Sequence, residues 1–211
     1  MSNHVILLGD SIFDNASYVP GGPPVIQQLA GALPAEWRAT LLAIDGATIE
    51  SAHAQFFRLP VDATHLVISA GGNNALKYLP MIVDEVPTTF PEALRGLDAI
   101  GAEFQPGYRK LLERALGFNR PTVVCTIYDA VPDLDPAARA ALCGFNDVIL
   151  REAARAGVPV VDLRLICTER GDYSALSPIE PSVAGGEKIA RAVARAVTGH
   201  DFVAGGCRIF C

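Results

Sequence analysis

Short, wholly apolar runs alternate with longer amphipathic stretches along this chain. His4 to Leu8 is an apolar run that stops at Gly9-Asp10, the signature of a buried strand closed by a turn. Pro24 to Leu33 carries helical spacing behind Pro23-Pro24, which suits a helix start. Trp37–Ile44 reads as strand, and Thr48–Phe57 as a helix with Ile49, Ala52 and Phe56 on one side. His65–Ser69 is a third strand, ended by Gly71-Gly72. Pro91–Leu116 is helical material with an expected break near Pro106-Gly107. Thr122–Ile127 is a β-branched strand. Pro136–Ala156 is a long helix with Asp135 as N-cap, Pro136 at its first position and Gly157 just past its end. Val158–Leu163 and Ala184–Val197 complete the pattern as strand and helix, and Leu76–Phe90 and Ala130–Pro136 read as loops.

Five apolar strands alternating with helices imply βαβ units around a mostly parallel sheet. Strands covered on both faces lose the alternation of a half-exposed sheet and become continuous hydrophobic runs, as these are. The expected architecture is α/β, a single domain over residues 1–200 followed by a tail over 201–211.

Composition narrows the partners. Half of the 211 residues are hydrophobic and 19% are charged, enough apolar material for a large core. The net charge is −6 and Lys and Arg do not cluster, which argues against nucleic acid and anionic membrane surfaces, both of which need a positive footprint. No stretch reaches the roughly 20 apolar residues of a membrane span. The start lacks a cationic lead, and its apolar run is cut by Gly9-Asp10-Ser11, so a signal peptide is not expected and the cytoplasm is the default location. The 5 cysteines are odd in number and widely spaced, which fits reduced thiols. Cys207 and Cys211 lack further soft ligands nearby in sequence, so no metal and no other cofactor is expected.

In open parallel sheets ligands bind beyond the carboxyl ends of the strands. Chemically suggestive residues follow four of the expected strands. Gly9-Asp10-Ser11 places a hydroxyl just past the first. Asp45-Gly46-Ala47-Thr48 follows the second, and Gly71-Gly72-Asn73-Asn74 the third. Backbone N–H groups and asparagine amides stabilise developing negative charge without changing protonation, which makes them suitable oxyanion donors. Ser177-Pro178-Ile179-Glu180-Pro181-Ser182 follows the fifth strand and precedes the last helix. Tyr128, after the fourth strand, is positioned to line a substrate pocket together with Leu76 to Pro80, Asp10 to support the turn through backbone hydrogen bonds, and Asp14 and Asn15 to contact substrate or the Ser11 backbone.

In this order the motifs resemble the SGNH, or GDSL, hydrolase family, from Gly9 to about Val197. The resemblance implies a three-layer α/β/α sandwich with a five-stranded parallel sheet, flavodoxin-like in order, and hydrolysis of small-molecule esters. It assigns the nucleophile to Ser11 and the oxyanion hole to Gly46 and Asn73, with Asn74 where the family has aspartate. The last family motif, Asp-x-x-His-Pro-Ser, falls on Ser177 to Ser182 and departs from the pattern: Glu180 stands at the histidine position and Ser177 at the aspartate position.

The other histidines are poorly placed to substitute. His4 and His65 begin their strands, about 15–20 Å from the active edge at ~3.3 Å per residue. His200 follows the last helix, about 20 Å from its start. His53 comes nearest, roughly 10 Å beyond Gly46 if helical. Three readings of Glu180 remain open: base for Ser11 with Ser177 orienting it, activator of a water, or cap of the last helix. The functional alternatives are an esterase, an acyltransferase using the same site, and a catalytically silent binding protein.

Overall fold

The computed structural model describes residues 3–83 and 89–211. Six strands, β1 (His4–Gly9), β2 (Arg38–Leu41), β3 (His65–Ser69), β4 (Thr122–Cys125), β5 (Val160–Val161) and β6 (Ile209–Phe210), form one sheet in the order β2-β1-β3-β4-β5-β6. Every pairing is parallel. The helices are α1 (Val25–Ala32), α2 (Ile49–Gln55), α3 (Gly72–Val83), α4 (Phe90–Leu116), α5 (Pro136–Ala156), α6 (Leu163–Ile166) and α7 (Val183–Gly199). Among the described residues none is long and apolar enough to cross a membrane.

Side chains alternate across the strands and so feed two cores. Val5 and Leu7 of β1 pack with α1 and α7, while Ile6 and Leu8 pack with α2, α4 and α5. The result is the expected three-layer α/β/α sandwich. The sheet has six strands where five were expected, because the tail returns beside β5, with Phe210 opposite Val161 and buried. Two-residue β6 is too short to show as an apolar run in the sequence.

Two helical stretches differ from expectation. Leu76–Phe90 was expected to be a loop, yet α3 runs through Leu76 to Val83; residues 84–88 lie outside the described residues. Ala75, Leu76, Leu79 and Ile82 recur at helical spacing and hold α3 against the molecule, and Pro80 sits on its exposed side. The break expected at Pro106-Gly107 is absent, and α4 is continuous for 27 residues. Ile100, Phe104, Tyr108, Leu111 and Leu112 form one buried stripe across it, and this packing outweighs the hydrogen bond that proline removes. The Ala102 residue whose carbonyl loses that bond is exposed to water. The expected fifth strand is shorter and gives way to α6, capped by Asp162. The caps of α5 are as expected, with Asp135 accepting from the Ala137 N–H and Gly157 left-handed at φ 67°.

The strand order reverses direction between β1 and β3, the switch point where such sheets bind ligands. Gly9 at the end of β1 pairs with Ser69 at the end of β3. A Cβ on Gly9 would collide with the Ser69 carbonyl, and its φ of 118° is closed to other residues. Buried Gln55 clamps the same residue from the other side, accepting from the Gly9 N–H at 2.7 Å and donating to its carbonyl at 2.8 Å. The chain therefore leaves β1 in one fixed direction, and Ser11 is two residues on.

Candidate active site

Ser11 is 6% exposed and Glu180 5%. Across 169 residues of chain, the Ser11 hydroxyl donates to Glu180 Oε1 at 3.0 Å. The other carboxylate oxygen, Oε2, is buried without a hydrogen-bond partner among the described residues. Burial raises the Glu180 carboxyl to about 7, against the lowering effect of the Ser11 hydroxyl and with a further push from Asp45. Charge in this pocket has little solvent to stabilise it, so Glu180 holds its proton far more tightly than a free glutamate does.

The loop bearing Glu180 is held from several directions. The Tyr128 hydroxyl donates to the Ile179 carbonyl at 2.6 Å, and the Asn15 amide to the Pro181 carbonyl at 3.1 Å. The Ser174 N–H donates to the Glu180 carbonyl at 2.8 Å, and the Glu180 N–H to the Ser177 carbonyl at 3.0 Å. Ser177 thus fixes Glu180 through its main chain; its hydroxyl makes no bond to Glu180 among the described residues. The α7 N-cap is Ser182, which accepts from the Gly185 N–H at 3.2 Å. This removes the capping role considered for Glu180.

Ser11, Asn73, Tyr128 and Glu180 line a single cleft. Asn73 Nδ2 donates one hydrogen to the Ala47 carbonyl at 3.0 Å, which fixes the amide plane and leaves its second hydrogen without an acceptor among the described residues. Asp14, Asn74 and Ser177 do not line the cleft but brace it, and Gly46 does not line it either. The Asp14 carboxylate accepts from the Asp45 N–H at 3.0 Å and so pins the turn that carries Gly46. Gly46 is exposed at φ 74°, and its N–H has no acceptor among the described residues. Asn74 Oδ1 accepts from the Ile49 N–H at 2.9 Å at the start of α2. None of the four histidines bonds to Ser11 or Glu180. His4 contacts Asp62 and Thr40, and His65 contacts Thr64. His53 lies half-buried on α2, its pKa lowered by burial and by Arg114.

Asp10 was read from the sequence only as support for the turn. It does accept from the Ile12 N–H at 3.2 Å, but it is also buried, lines the cleft and is raised to about 7, mainly by desolvation, with the Glu180 charge adding to the effect. Asn15, expected to contact substrate or the Ser11 backbone, instead bonds the Pro181 carbonyl and the Val25 N–H. Gln55 was missed: it has no motif around it, and its role comes from the Gly9 main-chain groups brought close by the fold.

The Ser11–Glu180 contact lies at the switch point of a parallel α/β/α sheet. The chain belongs to the GDSL-like lipase/acylhydrolase family, whose model matches residues 7–188. Solved structures share its fold. LAE5, an α/β hydrolase enzyme from the Lake Arreo metagenome, is 19% identical with a TM-score of 0.70, over 93% of this chain and 95% of that one. The lipase Lip_vut3 from a goat rumen metagenome is 18% identical with a TM-score of 0.71, over 92% and 97%. A W-to-I variant of Axe2, an acetyl xylan esterase from Geobacillus stearothermophilus, is 17% identical with a TM-score of 0.66, over 92% and 94%. Among curated proteins no sequence matches the chain significantly.

Proposed function

We propose that the protein hydrolyses carboxylic esters through a Ser11 acyl-enzyme, with Glu180 in the place of the usual histidine base. The observation that carries this reading is the 3.0 Å hydrogen bond from the Ser11 hydroxyl to Glu180 Oε1. A glutamate at its ordinary pKa is a poor base for an alcohol. One at about 7 is present in both forms near neutral pH and serves as base and acid in turn.

In acylation the Ser11 Oγ–H proton passes to Glu180 Oε1 as Oγ bonds to the ester carbonyl carbon. The carbonyl oxygen becomes an oxyanion, for which the free Asn73 amide hydrogen and the Gly46 N–H are the proposed donors. Collapse breaks the bond to the alcohol oxygen, which takes the proton back from Glu180 and leaves. Water then gives a proton to Glu180 while its oxygen attacks the acyl carbon. The acid departs, and the same proton returns to Ser11 Oγ. No proton is gained or lost by the enzyme over the cycle.

The test is turnover of short p-nitrophenyl esters by wild type, Ser11→Ala and Glu180→Gln. Wild type is expected to turn over, and both variants to lose about 10³-fold or more in kcat. Ser11→Ala with wild-type turnover would remove the nucleophile. Ligand-induced stabilisation with no product from any ester would make the protein a binder. Ester product appearing only when an alcohol acceptor is added would make it a transferase.

A further inference from the structure

The cleft that Ser11 opens into has an unusual distribution of polarity. Its polar lining is confined to the strand ends, at Asp10, Ser11, Ser69, Asn73, Thr126 and Glu180, and to the Tyr128 hydroxyl, which is occupied by the Ile179 carbonyl. Away from the strand ends it runs between α3 and α5 and is lined by aliphatic and aromatic side chains. Ala75, Leu79 and Ile82 recur along one face of α3, and Leu142 and Phe145 face them from α5. Buried carboxyls at one end and a purely apolar channel beyond match a molecule with one reacting polar group and a hydrocarbon chain.

We infer that this channel takes the acyl chain of the substrate, and that the protein is selective for medium-chain acyl groups of about ten carbons. The inference rests on the ester-hydrolase reading of the same site. Its length follows from α3: from Asn73 to Ile82 the helix rises about 14 Å. Tetrahedral carbons ~1.5 Å apart at about 111° advance about 1.25 Å per bond, so an extended chain fills that distance with roughly ten or eleven carbons. The acyl side, rather than the alcohol side, is assigned to the channel by the need for water. Deacylation water must enter where the alcohol has left, and a channel without polar groups along its walls does not conduct it. The exposed Asp45–Gly46 turn lies on the solvent side, and the alcohol leaves there.

Two ester series and one binding measurement test this. In p-nitrophenyl acyl esters from acetate to dodecanoate, below their micellar concentrations, kcat/KM is expected to climb roughly fourfold per methylene and level off near ten carbons. A series of n-alkyl acetates is expected to stay flat. Leu142→Trp is expected to lower the decanoyl-to-acetyl ratio at least tenfold by filling the channel. A best activity on acetate, or a climb with alkyl acetates instead, overturns the inference and leaves the hydrolase reading intact. Binding separates the opposite case: decanoate, and not acetate, is expected to raise the Tm of Ser11→Ala. That result without turnover of any ester removes the hydrolase reading and keeps the acyl channel. Equal responses to decanoate and acetate overturn the channel.

Discussion

Glu180→Gln gives a sharp test because its effect on stability depends on pH in a way the structure fixes. Glutamine has the shape of a protonated glutamate, and its carbonyl oxygen can accept from Ser11 as Oε1 does. What it removes is the titration. Burial raises the folded-state pKa of Glu180 from 4.5 to about 7, so between these values the folded protein binds the proton that the unfolded chain releases. Stability from this group is therefore full below about 4.5 and falls as pH rises through 7. The displacement corresponds to roughly 3 kcal/mol at ~1.4 kcal/mol per tenfold. The amide nitrogen of glutamine would lie where buried Oε2 has no partner, at a cost of about 1–3 kcal/mol, but that cost is the same at every pH. The assay is urea unfolding of both proteins at pH 4.5 and pH 8.5. The difference in unfolding free energy, variant minus wild type, is expected to move in favour of the variant by about 3 kcal/mol between the two pH values. Asp10, raised to about 7 mainly by burial with the Glu180 charge adding to it, gives a wild-type decline of the same sign that persists, reduced, in the variant and so adds to the shift in the same direction. A difference that does not change with pH would refute the reasoning, since Glu180 would then be charged and solvated in the folded protein.

Other outcomes follow from individual contacts. Asn73→Ala is expected to lower kcat about 10²–10³-fold with a small change in KM, as an oxyanion donor does, measured on p-nitrophenyl esters. Tyr128→Phe frees the Ile179 carbonyl and is expected to cost about 1–3 kcal/mol in urea unfolding, with a loss of kcat as the Glu180 loop loosens. Gly9→Ala drives a Cβ into the Ser69 carbonyl at a φ of 118° and is expected to cost at least about 3 kcal/mol, seen as loss of the folded protein by circular dichroism.

Most of the fold was legible because its signals are local. The β1 and β3 runs end at glycines, and the α5 caps are both written in adjacent residues, Asp135 and Gly157. What escaped depends on tertiary contacts. The α4 stripe carries the helix through Pro106, α3 keeps its helix through Pro80, and β6 exists because β5 offers it an edge. The site divides in the same way. Ser11, Gly46, Asn73 and Glu180 stand out because each follows a strand within a motif. The acidity of Asp10 and the clamps from Asn15 and Gln55 come from burial and from backbone groups distant in sequence, which spacing does not encode. Ser177 shows the limit most plainly: its position in the motif pointed to an orienting hydroxyl, and the contact is made by its carbonyl instead.

The Ser11–Glu180 pair is tested most directly by the rate at which an activated alkyl phosphonate labels the protein, followed by mass spectrometry across pH. One label per chain, on Ser11, is expected, with a rate that rises as Glu180 loses its proton near pH 7 and falls at least about a hundredfold in Glu180→Gln. Labelling of Ser11 at an unchanged rate in Glu180→Gln, or no labelling of Ser11 at any pH, would contradict the account.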